Sequence, residues 1–353
     1  MATTSTTVGR SAAFSKRAFL TILGVLIGAV LAFRLGQTIY DQVWGPEVWI
    51  RNLINGLALG AVYALIALGY TLVYGILFMI NFAHGEVLML GAMAGFFVLD
   101  ASINSGFLDY NTLLTIVIVF IAGMSVAVVV GVLLERIAYR PLRGAPRLVP
   151  LISAIGASIF LQNAALQAFG ANVKIYPTPQ ITGLSGGQRF GDVFVANTSI
   201  MIMVLAIITM VALVLLVNRS RFGKAMRAVA EDKPTAQLMG IDVNRIILLT
   251  FALGSLLAGM AGVMLGFHNR QVTHMVGFMP GLKAFTAAVL GGIGNVPGAM
   301  LGGFFLGLAE SLGPTAFQIP SAYKDVIAFG LLVLILIFRP TGLMGERLSR
   351  ERA

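Results

Sequence analysis

The sequence predicts an all-α protein that crosses a membrane many times. Only 11% of its 353 residues are Asp, Glu, Lys or Arg, and its mean hydropathy is +0.91. These few charges lie in short clusters between long apolar runs, so they could not cover a soluble globule of this size. A membrane-spanning helix needs about 20 mostly apolar residues, because hydrocarbon offers no partner to a free backbone group. Residues 112–134, 198–217 and 246–267 form such runs without a single charge.

Nine apolar segments are candidates for crossing the membrane, and we expect about nine or ten membrane segments in all. In chain order they are 18–33, 53–79, 87–99, 112–134, 148–169, 198–217, 246–267, 283–311 and 325–338.

The N-terminus predicts a retained first helix. A polar tail, 1–17, holds three basic residues, and the apolar run 18–33 follows it. A cleaved signal peptide is the alternative. It should end in a small-residue cleavage site, whereas here Arg34 follows the run directly.

The distribution of basic residues predicts which loops face the cytoplasm. The loop 135–147 has four arginines against one glutamate, and the loop 218–245 has six basic residues against three acidic ones. Because cytoplasmic loops carry the excess of Lys and Arg, both should face the cytoplasm, whereas 100–111 and 170–197 should face outward. The same rule explains the net charge of +10 and the pI of 10.2 without invoking nucleic acid, and it places both termini in the cytoplasm.

A run rich in glycine and proline is predicted to break the helix over 283–311. It reads Gly-Gly-Ile-Gly-Asn-Val-Pro-Gly; proline lacks the N–H group that a helix needs, and glycine lowers helix stability. If 283–311 crossed the membrane once, the basic C-terminal tail would lie outside the cell. A broken or re-entrant helix over 283–311 would instead leave the tail in the cytoplasm. A membrane tolerates such irregular backbone where protein or a watery cavity shields it. The candidate path residues in this run are Gly291, Gly292, Gly294, Asn295 and Pro297.

A second candidate for a translocation path is the polar segment Asn-Phe-Ala-His-Gly-Glu, which begins at Asn81 between two apolar stretches. Polar groups inside a membrane are costly and usually face a cavity or a partner, which would give Asn81, His84 and Glu86 a role in the path. The alternative is a short surface turn in which these groups are merely solvated, and composition does not separate the two. Glu310 poses the same question, whereas Lys283 is expected to reach the membrane interface.

The loop 218–245 carries an apolar pattern that a solvated linker, the alternative, would not need. Phe222, Met226 and Val229 recur at helical spacing, which predicts a short amphipathic helix offered to a cytoplasmic partner. No stretch matches the phosphate-binding pattern GxxxxGK[ST], since the Lys224 that follows a glycine is itself followed by alanine. The chain therefore carries no P-loop of its own.

The residue types do not suggest catalysis or a metal site. The chain has no cysteine, and His84, His268 and His274 are not spaced as a ligand set. A membrane-embedded enzyme would need convergent nucleophile, acid–base or metal groups, and the sequence offers no such set. We therefore predict a protein that is not an enzyme and needs no cofactor.

Several stretches, in order and with similar spacing, resemble the permease subunits of prokaryotic high-affinity branched-chain amino-acid ABC importers. They are the run Tyr-Ala-Leu-Ile-Ala-Leu-Gly-Tyr from Tyr63, the segment from Asn81, the run Glu-Arg-Ile-Ala-Tyr-Arg-Pro-Leu-Arg from Glu135, and the run Gly-Leu-Lys-Ala-Phe-Thr-Ala-Ala-Val-Leu-Gly-Gly-Ile-Gly from Gly281. The likeness extends from about residue 51 to residue 345. It is greatest to the first of the two paired permease subunits.

This resemblance implies a division of labour among several chains. Residues 46–345 would form the permease domain in a prokaryotic inner membrane, 18–45 an additional helix with its linker, and 346–353 a cytoplasmic tail. The implied partners are a paralogous permease subunit, two cytoplasmic ATP-binding-cassette ATPases, an extracytoplasmic solute-binding protein and membrane lipid. The loop 218–245 resembles the segment that docks into the ATPase, so the residues assigned to coupling are Arg227, Glu231, Asp232 and Gly240.

Two alternatives stay open beside a branched-chain amino-acid importer. Urea and short-amide importers have similar permeases. An ion-coupled secondary transporter acting alone would need intramembrane acids or unwound helices, and His84, Glu86 and Glu310 are few for that purpose. A requirement for ATP separates the ABC importers from the secondary transporter.

Overall fold

The computed structural model describes residues 30–345 except 31, 39, 42, 147, 178–180, 182, 185 and 340. Most of the predicted first helix over 18–33, and the two tails 1–17 and 346–353, lie outside the described residues.

Helices make up most of the described chain, as the sequence predicts. They are α1 (Pro46–Leu77), α2 (His84–Asn104), α3 (Thr112–Leu134), α4 (Leu148–Phe169), α5 (Asn197–Arg219), α6 (Arg221–Glu231), α7 (Lys233–Leu238), α8 (Val243–Asn269), α9 (Phe278–Gly291), α10 (Val296–Phe317) and α11 (Lys324–Phe338). Eight of them, two with the turns that adjoin them, are long and apolar enough to cross a membrane, and α9 is a shorter apolar helix. The protein is therefore a multi-pass membrane protein.

Short elements join these helices. A one-turn helix, Phe107–Tyr110, precedes α3, and a π-helical turn, Glu135–Tyr139, follows it. Two small antiparallel sheets lie between α4 and α9: β1 (Lys174–Ile175) pairs with β4 (Gln271–Val272), and β2 (Gly187–Phe190) pairs with β3 (Val193–Ala196).

Helix α1 forms the centre of the bundle, because its residues 60–73 are all buried. Glycines allow other helices to approach it closely: a Cβ atom on Gly303 or on Gly307 of α10 would overlap the α1 backbone at Ala64 or at Gly60. Small residues let helices pack closely in lipid, where no hydrophobic effect drives them together. The pairing of 303 with 64 and of 307 with 60 makes α1 and α10 antiparallel.

Helices α2, α3 and α8 also approach one another closely at glycines. A Cβ atom on Gly91 of α2 would lie 2.7 Å from Cα of Gly259 in α8 and 3.1 Å from the carbonyl oxygen of Gly123 in α3. By contrast, α4 exposes large apolar side chains such as Ile159 and Phe160, and α5 and α11 expose others. The bundle therefore has a tightly packed centre and an outer layer with apolar surface, which lipid or another membrane chain can cover.

The predicted break is present between α9 and α10, at residues 292–295. Gly292 and Gly294 have φ of +106° and +95°, which glycine adopts without steric cost. Asn295 then caps α10 by accepting a hydrogen bond from the N–H of Gly298 at 2.9 Å, and Pro297 lies in the first turn, where its missing N–H does no harm.

The segment 341–345, after α11, folds back onto this break, and we call the arrangement the C-terminal clasp. The N–H groups of Leu343 and Met344 donate to the carbonyl oxygens of Leu290 and Gly291 at 2.8 and 3.0 Å. The side-chain amide of Asn295 donates to the carbonyl oxygen of Met344 at 3.0 Å. The clasp therefore satisfies carbonyl groups that the end of α9 would otherwise leave without a partner.

Candidate functional site

The polar segment that begins at Asn81 lies inside the protein, so the alternative of a solvated surface turn is wrong. Asn81, His84 and Glu86 are 3%, 1% and 1% exposed. Asn81 lies in the turn between α1 and α2, and its side-chain oxygen accepts a hydrogen bond from the Tyr139 hydroxyl at 3.0 Å. Tyr139 ends the π-helical turn after α3, so two stretches that are far apart in sequence meet here.

His84 and Glu86 begin α2 and make few hydrogen bonds. The His84 ring packs edge-on against Tyr70 with the ring centroids 4.7 Å apart, in space that the absence of a side chain at Gly69 leaves open. One carboxylate oxygen of Glu86 accepts from the Ser158 hydroxyl of α4 at 3.3 Å. Within the described residues, the other carboxylate oxygen of Glu86 and Nε2 of His84 have no hydrogen-bond partner. Buried polar atoms without a partner are rare in proteins, and a bound solute or a change of conformation would supply one here.

A cavity of about 160 Å³ adjoins this junction of α1, α2, α4 and α9. Its wall is mainly apolar, with Phe82 and Leu282 among its residues, and Tyr70, Ser158 and Gln162 supply polar groups. An apolar wall with a few polar groups is the usual composition of a site for a small organic molecule.

The candidate residues of the break do not form a binding pocket with these groups. Gly291 and Gly298 allow the backbones of α9 and α10 to meet, and a Cβ atom on either would overlap the other's carbonyl oxygen. Ile293 does reach a small cavity that is also lined by Ile80 and Tyr74. Gly291, Gly292, Gly294, Asn295 and Pro297 thus shape the helix pair and the clasp.

Lys283 is buried rather than at the membrane interface, which corrects the expectation from sequence. Its ammonium group lies 2.8 Å from Oε1 of Glu310 and 2.6 Å from Oδ1 of Asp325. The Tyr63 hydroxyl donates to Oε2 of Glu310 at 2.8 Å, and the ammonium group of Lys324 lies 3.5 Å from Oε1 of Glu310. These groups tie α1, α9, α10 and α11 together. Sequence reasoning missed this pairing, because its members lie on four different helices.

The apolar face of α6 is used within the chain, so the expectation that a partner binds this face is wrong. Met226 and Val229 are buried, Phe222 is half-buried, and Gly223 lies against the backbone of Val217 at the end of α5. Arg227 fixes this packing, since its guanidinium donates to the carbonyl oxygens at the end of α5.

The surface free to meet a partner is instead the tip that follows α6. Leu238 ends α7 and Met239 is its C-cap residue, with 88% and 78% of their surface exposed, and Gly240 follows with φ of +82°. Asp232 caps α7 by accepting from the N–H and the hydroxyl of Thr235 at 3.1 and 2.6 Å, and these bonds hold the pKa of Asp232 below its ordinary value. Glu231 is exposed beside it. An open groove of about 530 Å³ runs along residues 229–234.

The π-helical turn is attached to this same region. The Arg143 guanidinium pairs with the buried carboxylate of Glu135 and donates to Asn244 Oδ1 at the start of α8 at 2.6 Å. Burial, and then the positive charge of Arg143, lower the pKa of Lys233 at the start of α7. Sequence reasoning missed the contact between Arg143 and Asn244, because the two residues are 101 positions apart in the chain.

Comparison with known proteins identifies the family. Residues 52–336 match the family described as branched-chain amino acid transport system / permease component. The high-affinity branched-chain amino acid transport system permease protein BraD of Pseudomonas aeruginosa is 48% identical over 308 residues, which cover 85% of this chain and 98% of that relative. LivH of Escherichia coli K12, named likewise, is 45% identical over 304 residues, or 84% of this chain and 96% of that relative. The chain therefore belongs to the family of permease components of branched-chain amino acid transport systems.

Proposed function

We propose that this chain is a transmembrane permease subunit of an ATP-binding-cassette importer for branched-chain amino acids. The observation that carries the proposal is the 48% identity to BraD over 98% of that relative, so the likeness covers a whole permease. The chain would lie in a prokaryotic inner membrane. By the positive-inside rule, the basic loops 135–147 and 218–245 and the tail after α11 would face the cytoplasm. Its partners would be a paralogous permease, two ATPases and an extracytoplasmic binding protein.

Uptake of radiolabelled leucine by proteoliposomes tests this function. The chain is reconstituted alone, and then with the subunits encoded beside it and with trapped ATP. We expect uptake from the complete ATP-containing set alone. Uptake by the single chain without ATP would establish a secondary transporter instead, and a complete set that moves urea or short amides but not leucine would refute the amino-acid assignment.

We propose that the exposed tip, Leu238 and Met239 followed by Gly240, is the part that enters the ATPase. Exposed neighbouring apolar side chains at the end of a short capped helix are suited to fill a pocket on another protein. Arg227 and Asp232 would act indirectly, because one fixes α6 on α5 and the other caps α7. Glu231 would contribute from the adjoining groove.

Replacing Leu238 by aspartate should lower ATP-driven uptake about tenfold or more, because a charge in an apolar pocket removes an anchor of the interface. Membrane level should not change, since Leu238 is exposed. Uptake and co-purification of the ATPase are measured together, with Leu238→Met as the matched control. Normal uptake by Leu238→Asp would contradict the assignment. Gly240→Trp should also uncouple transport, but any side chain at φ of +82° strains the backbone as well, so Leu238→Asp probes the interface more directly.

We also propose that the translocation path passes the junction of α1 and α2. The partnerless atoms of His84 and Glu86, and the mainly apolar cavity beside them, support this position. Asn81 would hold the turn in place through Tyr139. The residues of the break, from Gly291 to Pro297, would contribute by keeping α9 and α10 in contact.

A further inference from the structure

A second cavity, of about 370 Å³, lies at the opposite end of the bundle from the basic loops. It is bordered by the first residues of α5 and the last residues of α8. The other ends of these two helices, Arg219 and Val243, lie within the basic loop 218–245. The positive-inside rule puts that loop in the cytoplasm, so this cavity faces the extracytoplasmic side.

Two cationic side chains border the cavity, and one is held by an unusual backbone. Arg270 follows α8 with φ of +57°, a conformation uncommon for residues other than glycine. Its carbonyl oxygen accepts from the N–H of Tyr176 at 2.9 Å, and the strand β4 begins at the next residue. The backbone of Arg270 is therefore fixed. Lys324, the first residue of α11, supplies the second cation.

The amino end of α5 adds a third source of positive potential. Its N-cap residue, Ala196, makes no side-chain hydrogen bond to the first turn, and the Thr198 and Ser199 of that turn line the cavity. The first N–H groups of a helix lack intrahelical partners, and together with the helix dipole they favour an anion.

The acid in this cavity is paired with lysines. Glu310 is the one acid among the lining residues, and Lys283 and Tyr63 hold its two oxygens at 2.8 Å each. Because Lys283 also pairs with Asp325 and Lys324 lies 3.5 Å from Glu310, the two lysines balance the two acids.

Arg270 is the additional cation. An arginine after a helix also stabilises that helix through its dipole. That role does not account for the uncapped helix end beside the same cavity. The guanidinium of Arg270 and the amino end of α5 together attract an anion, and the half-exposed Lys324 lies nearby.

We propose that this cavity is a subsite for the α-carboxylate of the transported amino acid. The inference rests on the proposed function, which supplies a ligand that always carries this group. The planar guanidinium of Arg270 can donate two parallel hydrogen bonds to the two carboxylate oxygens, which makes it selective for that shape. The N–H groups of α5 that follow Asn197, whose own N–H donates to the carbonyl oxygen of Gly186, add donors from another side, and Lys324, which also lies 3.5 Å from Glu310, adds positive charge.

Thiol labelling tests the site directly, because the chain has no cysteine of its own. Asn55→Cys places one thiol on the cavity wall, and Asp192→Cys, in the turn between β2 and β3, is the matched control. The complete transporter, without binding protein, is treated with a membrane-impermeant thiol reagent. We expect leucine and isovalerate to slow labelling of Asn55→Cys several-fold, leucinol to have no effect, and no compound to change labelling of the control. Equal protection by leucinol, or no protection by leucine, would overturn the proposal.

Transport kinetics supply an independent test. Arg270→Gln should raise the leucine concentration for half-maximal uptake about tenfold or more, since hydrogen bonds to a charged group are lost. Arg189→Gln, at an exposed site on β2, should leave it unchanged. An unchanged leucine concentration for half-maximal uptake in Arg270→Gln would overturn the proposal. So would a loss, in this variant, of ATPase stimulation by the binding protein, because that result would assign Arg270 to docking the binding protein.

The two proposals fail separately. If the unmodified complex takes up leucine with ATP but leucine protects nothing, the subsite is refuted and the importer function stands. If leucine protects Asn55→Cys but the complex never moves it, the subsite stands and the importer function is refuted.

Discussion

Replacing Lys283 by methionine should prevent the permease from accumulating in the membrane. The Glu310 side chain is 2% exposed and the lysine bridges it to Asp325, so the substitution leaves buried negative charge without its main partner. Removing one member of a buried ion pair typically costs about 3–5 kcal/mol, most of which is the penalty for the charge left behind. The measurements are the membrane level and the melting temperature in detergent.

Two further variants separate this mechanism from a general sensitivity of the region. Lys324→Met removes a cation that is half exposed and 3.5 Å from Glu310, so its effect on stability should stay below about 1 kcal/mol. Adding Glu310→Gln to Lys283→Met removes part of the orphaned charge and should recover part of the lost stability. A Lys283→Met protein with normal level and melting would show that the pairing does not stabilise the fold.

The second large effect is expected at Gly307, where leucine should separate α10 from α1. A Cβ atom on this glycine would overlap Cα and N of Gly60 and lie 2.6 Å from the carbonyl oxygen of Gly56. These are backbone atoms of the central helix, so they cannot rotate away as a side chain would. We expect a loss of about 3 kcal/mol, at the upper end of the usual cost of overpacking, seen as a lower melting temperature and loss of uptake.

Gly330→Leu is the matched control for this prediction. No atom lies within 4 Å of a Cβ built at Gly330, which is exposed on α11. The change from glycine to a good helix former should leave membrane level intact. If Gly307→Leu and Gly330→Leu had the same melting temperature and the same uptake, the crossing of α1 and α10 would not be close-packed in the membrane.

The membrane helices could be predicted from sequence because each is defined by local composition. The charge-free run over 112–134 became α3 with the same boundaries, and the glycines and proline near 291–298 interrupted the helix as predicted. The predicted segment 87–99 is shorter than α2, because polar residues such as Glu86 and Asp100 end an apolar run without ending the helix.

The side-chain partners could not be predicted in the same way. In the sequence, Lys283 resembles a charge at the end of a membrane helix, because its partners Glu310 and Asp325 lie on other helices. Similarly, the spacing of Met226 and Val229 predicts an amphipathic helix but does not say which protein covers its apolar face. The burial of Glu86 depends on Ser158 and the packing of α4, which no local pattern encodes.

The C-terminal clasp has a consequence for how the protein is made. The residues 341–345 leave the ribosome last among those described, yet their N–H groups are the partners of the carbonyl oxygens of Leu290 and Gly291. A buried carbonyl group without a partner costs about 1–3 kcal/mol. Insertion of α9 and α10 during translation therefore gives a hairpin whose junction is still incomplete. The native geometry of this junction can be reached only once residues 341–345 have also been made, so the last described segment of the chain completes the helix pair α9 and α10.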